Sequence, residues 1–304
     1  MQFCSKEDIK DYIETRKADI KKSVQKNTSM GFDVPTLAII QVGSNPASNK
    51  YVNGKIKDCE EVGMKAVLHK FNEDIEPVDF GTEIIKIMHD EMIHGVIIQK
   101  PLPEKLEKYF DKFVKMIPKK KDVDGFRKDT EFDPCTPKGV VDYIESRQGK
   151  DWLTGKDVVI INRTELVGRP LAKMMLDRNA TVTVCHSKTE RLRNHCQYAD
   201  IVVSAIGKPK ILIRDYVKHD SVCFDVGISF DENGKMCGDF DRDNVMKITD
   251  YCTPVPGGVG LLTRIALVEN VLKAYENQKY RASMIPNAEK DENNVGNYKS
   301  YERK

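Results

Sequence analysis

Along the chain, short runs of apolar, largely β-branched residues recur, and the longer stretches between them return apolar positions at helical spacing. The runs at 36–42 (TLAIIQV), 65–69 and 94–99 (HGVIIQ) predict three strands in the first half, the first and third of them buried. Those at 158–161, 180–185, 201–205 and 222–226 predict four in the second. Helices are expected over 5–28, 48–63, 82–90, 105–115 and 137–147, and a last one over 263–277. In the first helix Ile9, Tyr12, Ile13 and Ile20 stand among many charges, an amphipathic surface pattern. Ser5 with Asp8 resembles a capping box at its start. Strands alternating with helices imply parallel βαβ units and an α/β fold.

Polar stretches punctuate this pattern. Residues 119–136 are turn-rich and short of apolar positions, which reads as a loop or lid. A hinge is expected near Gly149, and 286–304 reads as a loose polar tail. With 304 residues the chain can bury two modest cores, so two domains are expected.

Composition narrows the function classes. Formal net charge is +2, which gives no electrostatic case for a nucleic-acid partner. The N-terminal stretch is charged throughout, without the apolar centre of a signal peptide, and no apolar run reaches membrane-spanning length. The eight cysteines form no C-x-x-C pair and the histidines no zinc-type cluster. The expectation is a soluble cytoplasmic protein without a structural metal.

The candidate chemistry begins at 156–176, KDVVIINRTELVGRPLAKMML. A buried strand, a polar turn (Asn162, Arg163, Thr164, Glu165) and a helix opening at Gly168 make an anion site of unpaired backbone N–H groups. Asn162 stands where the first glycine of G-x-G-x-x-G is expected. The next strand ends Cys185-His186-Ser187-Lys188, without the acid that binds the ribose 2′-hydroxyl of NAD. Arg163, Ser187, Lys188 and Arg191 suit a 2′-phosphate, which favours NADP; the blander alternative is a set of solvated loop charges. Gly207 and Gly227 fall at successive strand ends, where a dinucleotide needs close approach.

Tyr51 and Lys55, at i and i+4, share a helix face. A buried lysine there can act as an acid or base, although an ordinary surface pair has the same spacing. Gln99 closes a strand, where α/β ligands bind, and is followed by Pro-Leu-Pro. Asp122 and Asp124 in KDVDG either face a hydrogen-bonding heterocycle or form Asx turns. Pro254 to Gly260 is a shaped loop able to lie against a ligand.

In order, SNKYVNGKIKDCEEVGM (48–64), GVIIQKPLP (95–103), KDVDGF (121–126), PCTPKGV (134–140), RTELVGRP (163–170), TVTVCHSKT (181–189) and TPVPGGVG (253–260) resemble one family. It is that of the bifunctional methylenetetrahydrofolate dehydrogenases/methenyltetrahydrofolate cyclohydrolases. The resemblance implies an N-terminal catalytic domain (1–148, completed by a helix at 263–285) and a Rossmann-type NADP-binding domain (149–262). Between them it implies a folate cleft. It further implies Lys55 as catalytic lysine, Tyr51 as the ring that stacks on the folate, Gln99 as the lysine's partner, and Ser48 nearby. Asp124 would bind the pterin, Pro256, Gly257, Gly258 and Val259 would line the folate, and Arg163 and Ser187 would hold the 2′-phosphate. The substrate would be a small folate and the assembly a homodimer. The chain departs from the family's pattern at Asn162, in a short segment between Gly125 and Pro134, and at Leu261-Leu262-Thr263-Arg264.

Overall fold

The computed structural model describes residues 2–284. The helices α1 (Lys6–Ser29), α2 (Pro46–Glu61), α3 (Pro77–Met88), α4 (Glu104–Glu107), α5 (Phe110–Met116) and α6 (Cys135–Gln148) accompany strands β1 (Thr36–Val42), β2 (Lys65–Phe71) and β3 (Gly95–Ile98). The second half holds β4 (Asp157–Ile161), α7 (Gly168–Leu176), β5 (Thr181–Cys185), α8 (Leu192–Cys196), β6 (Ile201–Ser204) and β7 (Val222–Asp225). A small ribbon of β8 (Ser229–Phe230) and β9 (Met236–Cys237), then α9 (Arg242–Val245) and α10 (Val259–Met284), complete it. The expected tail at 286–304 lies outside the described residues. None of the described helices is long and apolar enough to cross a membrane.

Two parallel sheets form, ordered β2-β1-β3 and β5-β4-β6-β7. The central strand of each is apolar on both faces, as two-sided burial requires. Leu37 and Ile39 of β1 join one core with Val158 and Ile160 of β4, whereas Ala38, Ile40 and Val42 face a second core under α3 and α5. Val159 and Ile161 face a third. The first of these cores is therefore continuous across both sheets. α10 supplies much of it, packing against α6, α1 and α2.

Only the N-cap half of the expected capping box forms: Ser5 Oγ accepts from the Asp8 N–H at 3.0 Å, but the Ser5 N–H donates to the Gln2 carbonyl and the Asp8 carboxylate turns to Tyr143 and Arg147. Such a cap contributes about 1 kcal/mol. The helix expected at 105–115 is instead two short ones, and the last helix starts at Val259 rather than 263. The loop or lid reading of 119–136 fails for its first part. Lys121 to Gly125 are all buried, and Asp122 forms a parallel bridge to Val96 beside β3. Their polarity is satisfied internally. Lys121 Nζ donates to the carbonyls of Met88 (3.1 Å) and Asp90 (2.8 Å), and the Asp122 carboxylate accepts from the N–H groups of Phe126 (3.3 Å) and Arg127 (2.9 Å).

Candidate active site

Helix α2 carries Ser48, Tyr51 and Lys55 on one face. Ser48 and Lys55 are buried and Tyr51 half-buried. Lys55 Nζ donates to Gln99 Oε1 at 3.0 Å, and Gln99 Nε2 donates to the Lys100 carbonyl at 2.6 Å. The glutamine just past β3 therefore holds the ammonium at the strand's carboxyl end. The Lys55 Nζ lies 5.9 Å from the centre of the Tyr51 ring. Tyr51 Oη donates to the Gly260 carbonyl at 3.3 Å, and a Cβ on Gly260 would approach that oxygen to 2.8 Å. Burial raises the Tyr51 pKa, with the nearby Arg264 charge opposing it.

Asp124 is buried between this helix and the start of α6. Desolvation raises its pKa against the pull of the Lys55 charge. Burial also pushes the neighbouring Cys135 thiol well up. The whole turn is held from behind by Asn270, whose amide donates to the carbonyls of Val123 (2.9 Å) and Asp133 (3.1 Å). Asn270 was not singled out from sequence, nor was Gln41. Gln41 donates to Ser48 Oγ at 3.2 Å and Asn49 Oδ1 at 2.8 Å. Its signal was available: a polar residue in an otherwise apolar, fully buried strand.

The Pro-Gly loop runs into α10 beside Tyr51. Pro256 is exposed, Gly257 takes φ +105°, and Gly258 has no room for a side chain because a Cβ would lie 2.4 Å from the Pro254 carbonyl. Val259 is buried in the core beneath the loop.

At the nucleotide end, Asn162 is the organiser of the turn. Its Nδ2 donates to the Ala205 carbonyl (2.7 Å), and its Oδ1 accepts from the N–H groups of Thr164 (2.8 Å) and Gly168 (3.0 Å) and from the Thr164 hydroxyl (2.7 Å). One side chain thus ties the end of β4 to β6 and to the start of α7, and the N–H groups expected to be unpaired there are not: Thr164 and Gly168 donate to Asn162, Arg169 and Leu171 to the carbonyls of Thr164 and Val167, and Pro170 has none. Gly168 is required because a Cβ there would lie 2.1 Å from the Asn162 carbonyl oxygen. The register pairs Ile161 with Cys185, so Arg163 and Thr164 emerge at the same sheet edge as Ser187 and Lys188. Those four and Arg191 are exposed.

Gly207 is exposed with φ +73° and open space around it, as close approach of a ligand needs. Gly227 is different. It is buried, and a Cβ would meet the Asp239 carboxylate at 2.2 Å, so the protein's own packing demands that glycine. Asp239 and Asp225 were also unforeseen. Asp239 accepts from Ser204 Oγ (2.7 Å) and the N–H groups of Ile206 (2.7 Å) and Lys208 (2.9 Å). Asp225 accepts from the N–H groups of Asp239 (2.9 Å) and Phe240 (3.0 Å), and burial lifts its pKa to about 7. Together they lock the loops that follow β6 and β7.

The edge across β4, β5 and β6 therefore fits a phosphorylated dinucleotide: exposed cations, no acid among His186, Ser187 and Lys188 at the end of β5, and a glycine with room above it. Among the described residues no group of His, Cys, Asp or Glu is arranged to hold a metal ion.

Comparison with known proteins gives a consistent result. Residues 8–124 match the catalytic domain, and residues 134–279 the NAD(P)-binding domain, of the tetrahydrofolate dehydrogenase/cyclohydrolase family. The bifunctional protein FolD of Bacillus cereus is 41% identical over 271 residues, covering 86% of this chain and 93% of that one. The crystal structure of the bifunctional enzyme FolD from Campylobacter jejuni superposes with a TM-score of 0.83 at 40% identity, over 89% of this chain and 98% of that one. The Trypanosoma brucei methylenetetrahydrofolate dehydrogenase-cyclohydrolase, solved with NADP and an inhibitor, gives a TM-score of 0.81 at 26% identity, over 88% and 96%.

Proposed function

Since the chain belongs to the tetrahydrofolate dehydrogenase/cyclohydrolase family, we propose which of its residues carry the family's two reactions. The enzyme oxidises 5,10-methylenetetrahydrofolate with NADP⁺ and hydrolyses the resulting 5,10-methenyltetrahydrofolate to 10-formyltetrahydrofolate. In this reading residues 1–148 with 263–285 form the catalytic part and 149–262 the nucleotide part.

NADP⁺, when bound, accepts a hydride from the one-carbon unit. The cation that remains is stabilised by its own nitrogens, so the chain's task in this step is orientation. Arg163, Ser187, Lys188 and Arg191 would hold the 2′-phosphate, while the turn organised by Asn162 fixes the shape of the diphosphate site, its Thr164, Gly168 and Arg169 N–H groups being already bonded within the protein. Asp124 hydrogen-bonds the pterin, and the Tyr51 ring stacks on the aminobenzoyl group.

Hydrolysis needs proton transfer. Water adds to the methenyl carbon, one carbon–nitrogen bond breaks, and the net proton released passes through Lys55 Nζ, which Gln99 positions. The observation that carries the proposal is the Lys55–Gln99 contact with Tyr51 and Asp124 around it. Three separate stretches of chain converge there.

The test is spectrophotometric: supply methylenetetrahydrofolate with NADP⁺ or NAD⁺ and follow reduced nicotinamide and the methenyl species separately. NADPH should form, and the methenyl species should decay faster than in the absence of enzyme. No reduced cofactor with either nucleotide overturns the first half of the proposal, and an uncatalysed decay the second. The enzyme is further proposed to work in the cytoplasm as a homodimer. The unpaired outer edge of β5, with Val184 exposed, supports pairing of two copies; sedimentation of a monomer at micromolar concentration would exclude it.

A further inference from the structure

We propose that Arg264 is a positioning residue for Lys55, clamping the catalytic turn of α2 to the first turn of α10; this rests on the assignment of Lys55 above. Arg264 lies one turn into α10 and reaches across to α2. Its Nε contacts Asp58 Oδ2 at 2.6 Å, and its Nη2 donates to the Gly54 carbonyl at 2.8 Å. Gly54 and Asp58 flank Lys55 on the helix, so the guanidinium grips the turn that carries the ammonium.

The guanidinium also packs close against the helix at Gly54. A Cβ on Gly54 would come within 2.6 Å of Arg264 Nη1 and 2.7 Å of Cζ. Glycine inside a helix is destabilising relative to alanine, and here its absent side chain is what lets the arginine approach. A lysine would replace this grip only in part, since its compact ammonium lacks the planar fork that meets the carboxylate and the carbonyl from separate nitrogens.

The far side of the clamp is already fixed. Asp58 is buried and also takes Lys17 Nζ of α1 at 2.8 Å, so it keeps a partner if Arg264 is removed. Tyr51 is tied separately to the Gly260 carbonyl. Loss of Arg264 therefore detaches the Gly54–Asp58 turn from α10, leaving its Asp58 held by Lys17 alone, while Tyr51 stays attached to α10. Since the proton transfers use Lys55 and hydride transfer does not, the two activities should respond unequally.

Arg264→Leu, Arg264→Lys and Gly54→Ala would be made in the full chain, and kcat and KM measured for both reactions alongside Tm. In Arg264→Leu the cyclohydrolase kcat should fall about tenfold or more, the scale set by small misplacement of a reacting group. Its KM and the dehydrogenase kcat should change much less. Arg264→Lys should restore part of the loss. Gly54→Ala keeps the arginine but displaces its guanidinium, and alanine favours the helix, so it should shift the ratio of activities in the same direction without a fall in Tm. An unchanged ratio in Arg264→Leu and Gly54→Ala overturns the inference, even where Tm drops. If Arg264→Leu does not fold, Gly54→Ala decides alone. Full cyclohydrolase activity in Lys55→Met would instead overturn the underlying assignment.

Discussion

Lys55 and Asp124 are withdrawn from solvent and Lys55 is already bonded to Gln99, whereas Arg163, Ser187, Lys188 and Arg191 stand in water at the sheet edge. The two ends of the site thus solve different problems. A group that transfers protons must be held in one place in a low-dielectric setting. A group that attracts a phosphate works while hydrated, provided the backbone that presents it is stiff. At the nucleotide end the stiffness comes from behind, from Asn162, Asp225 and Asp239, each binding two or more backbone groups.

The sharpest way to break this comparison is Lys55→Met. Cyclohydrolase activity should fall by about 10²–10⁴, the usual share of a positioned acid–base group, while part of the dehydrogenase activity persists. Equal loss of both in steady-state assays would mean that Lys55 serves binding rather than proton transfer. Next comes Asn162→Ala. It strands the buried Gly168 N–H and should cost about 1–3 kcal/mol of stability and weaken NADP binding. Restoring the motif's glycine with Asn162→Gly should be no better, which thermal melts with and without NADP would show.

A smaller effect is expected for Arg163→Ala. NADP should bind about tenfold more weakly, as for loss of one charged hydrogen bond, with NAD affinity unchanged and the NADP–NAD difference narrowing in salt. Titration calorimetry with both nucleotides checks this.

The smallest effect separates the halves by pH. His94, buried and accepting the Thr36 N–H on Nδ1 (3.2 Å), has its pKa lowered to about 4 by burial and by the charges of Lys279 and Lys121. Its folded value lies below the unfolded one, so the stability it contributes above pH 6.5 is lost as pH falls towards 4. Asp225 has the opposite sign: raised to about 7 by burial, it favours folding at low pH, and that contribution is lost as pH rises through 7. His94→Gln should flatten the acid limb of a Tm–pH curve and Asp225→Asn the limb between about pH 4 and 7. Identical curves for wild type and both variants would refute the assignment.

Of the seven parallel strands, β1, β3, β4, β6 and β7 were legible as short apolar runs buried on almost every residue, whereas the edge strands β2 and β5 are largely exposed and carried only short β-branched or apolar stretches. The β8–β9 ribbon was not legible, since two-residue strands leave no periodic signal. Nor was the burial of 121–125, whose polar residues find their partners in backbone up to 33 residues away. Lys55, Tyr51, Gln99 and Asp124 could be found because their neighbours in sequence form a recognisable series. Asn270 and Arg264 could not, because their partners lie 137–210 residues away and only the fold brings them together. Asn162 teaches the converse: what looked like a missing glycine is a side chain that performs the turn's own hydrogen bonding.

The position of α10 in the chain has a consequence for synthesis. Leu37 and Ile39 of β1 share a core with Ile265, Leu267 and Val271, residues made more than two hundred positions later. As the chain emerges from the ribosome, that face of the first sheet has only the partial cover of α1, α2 and α6 until the second sheet has been made and the closing helix follows it out. Domains that fold as they are made ordinarily do so from the N-terminus. Here the earliest part to be translated is among the last to be finished, and its exposed apolar face is the segment most in need of protection in the interval.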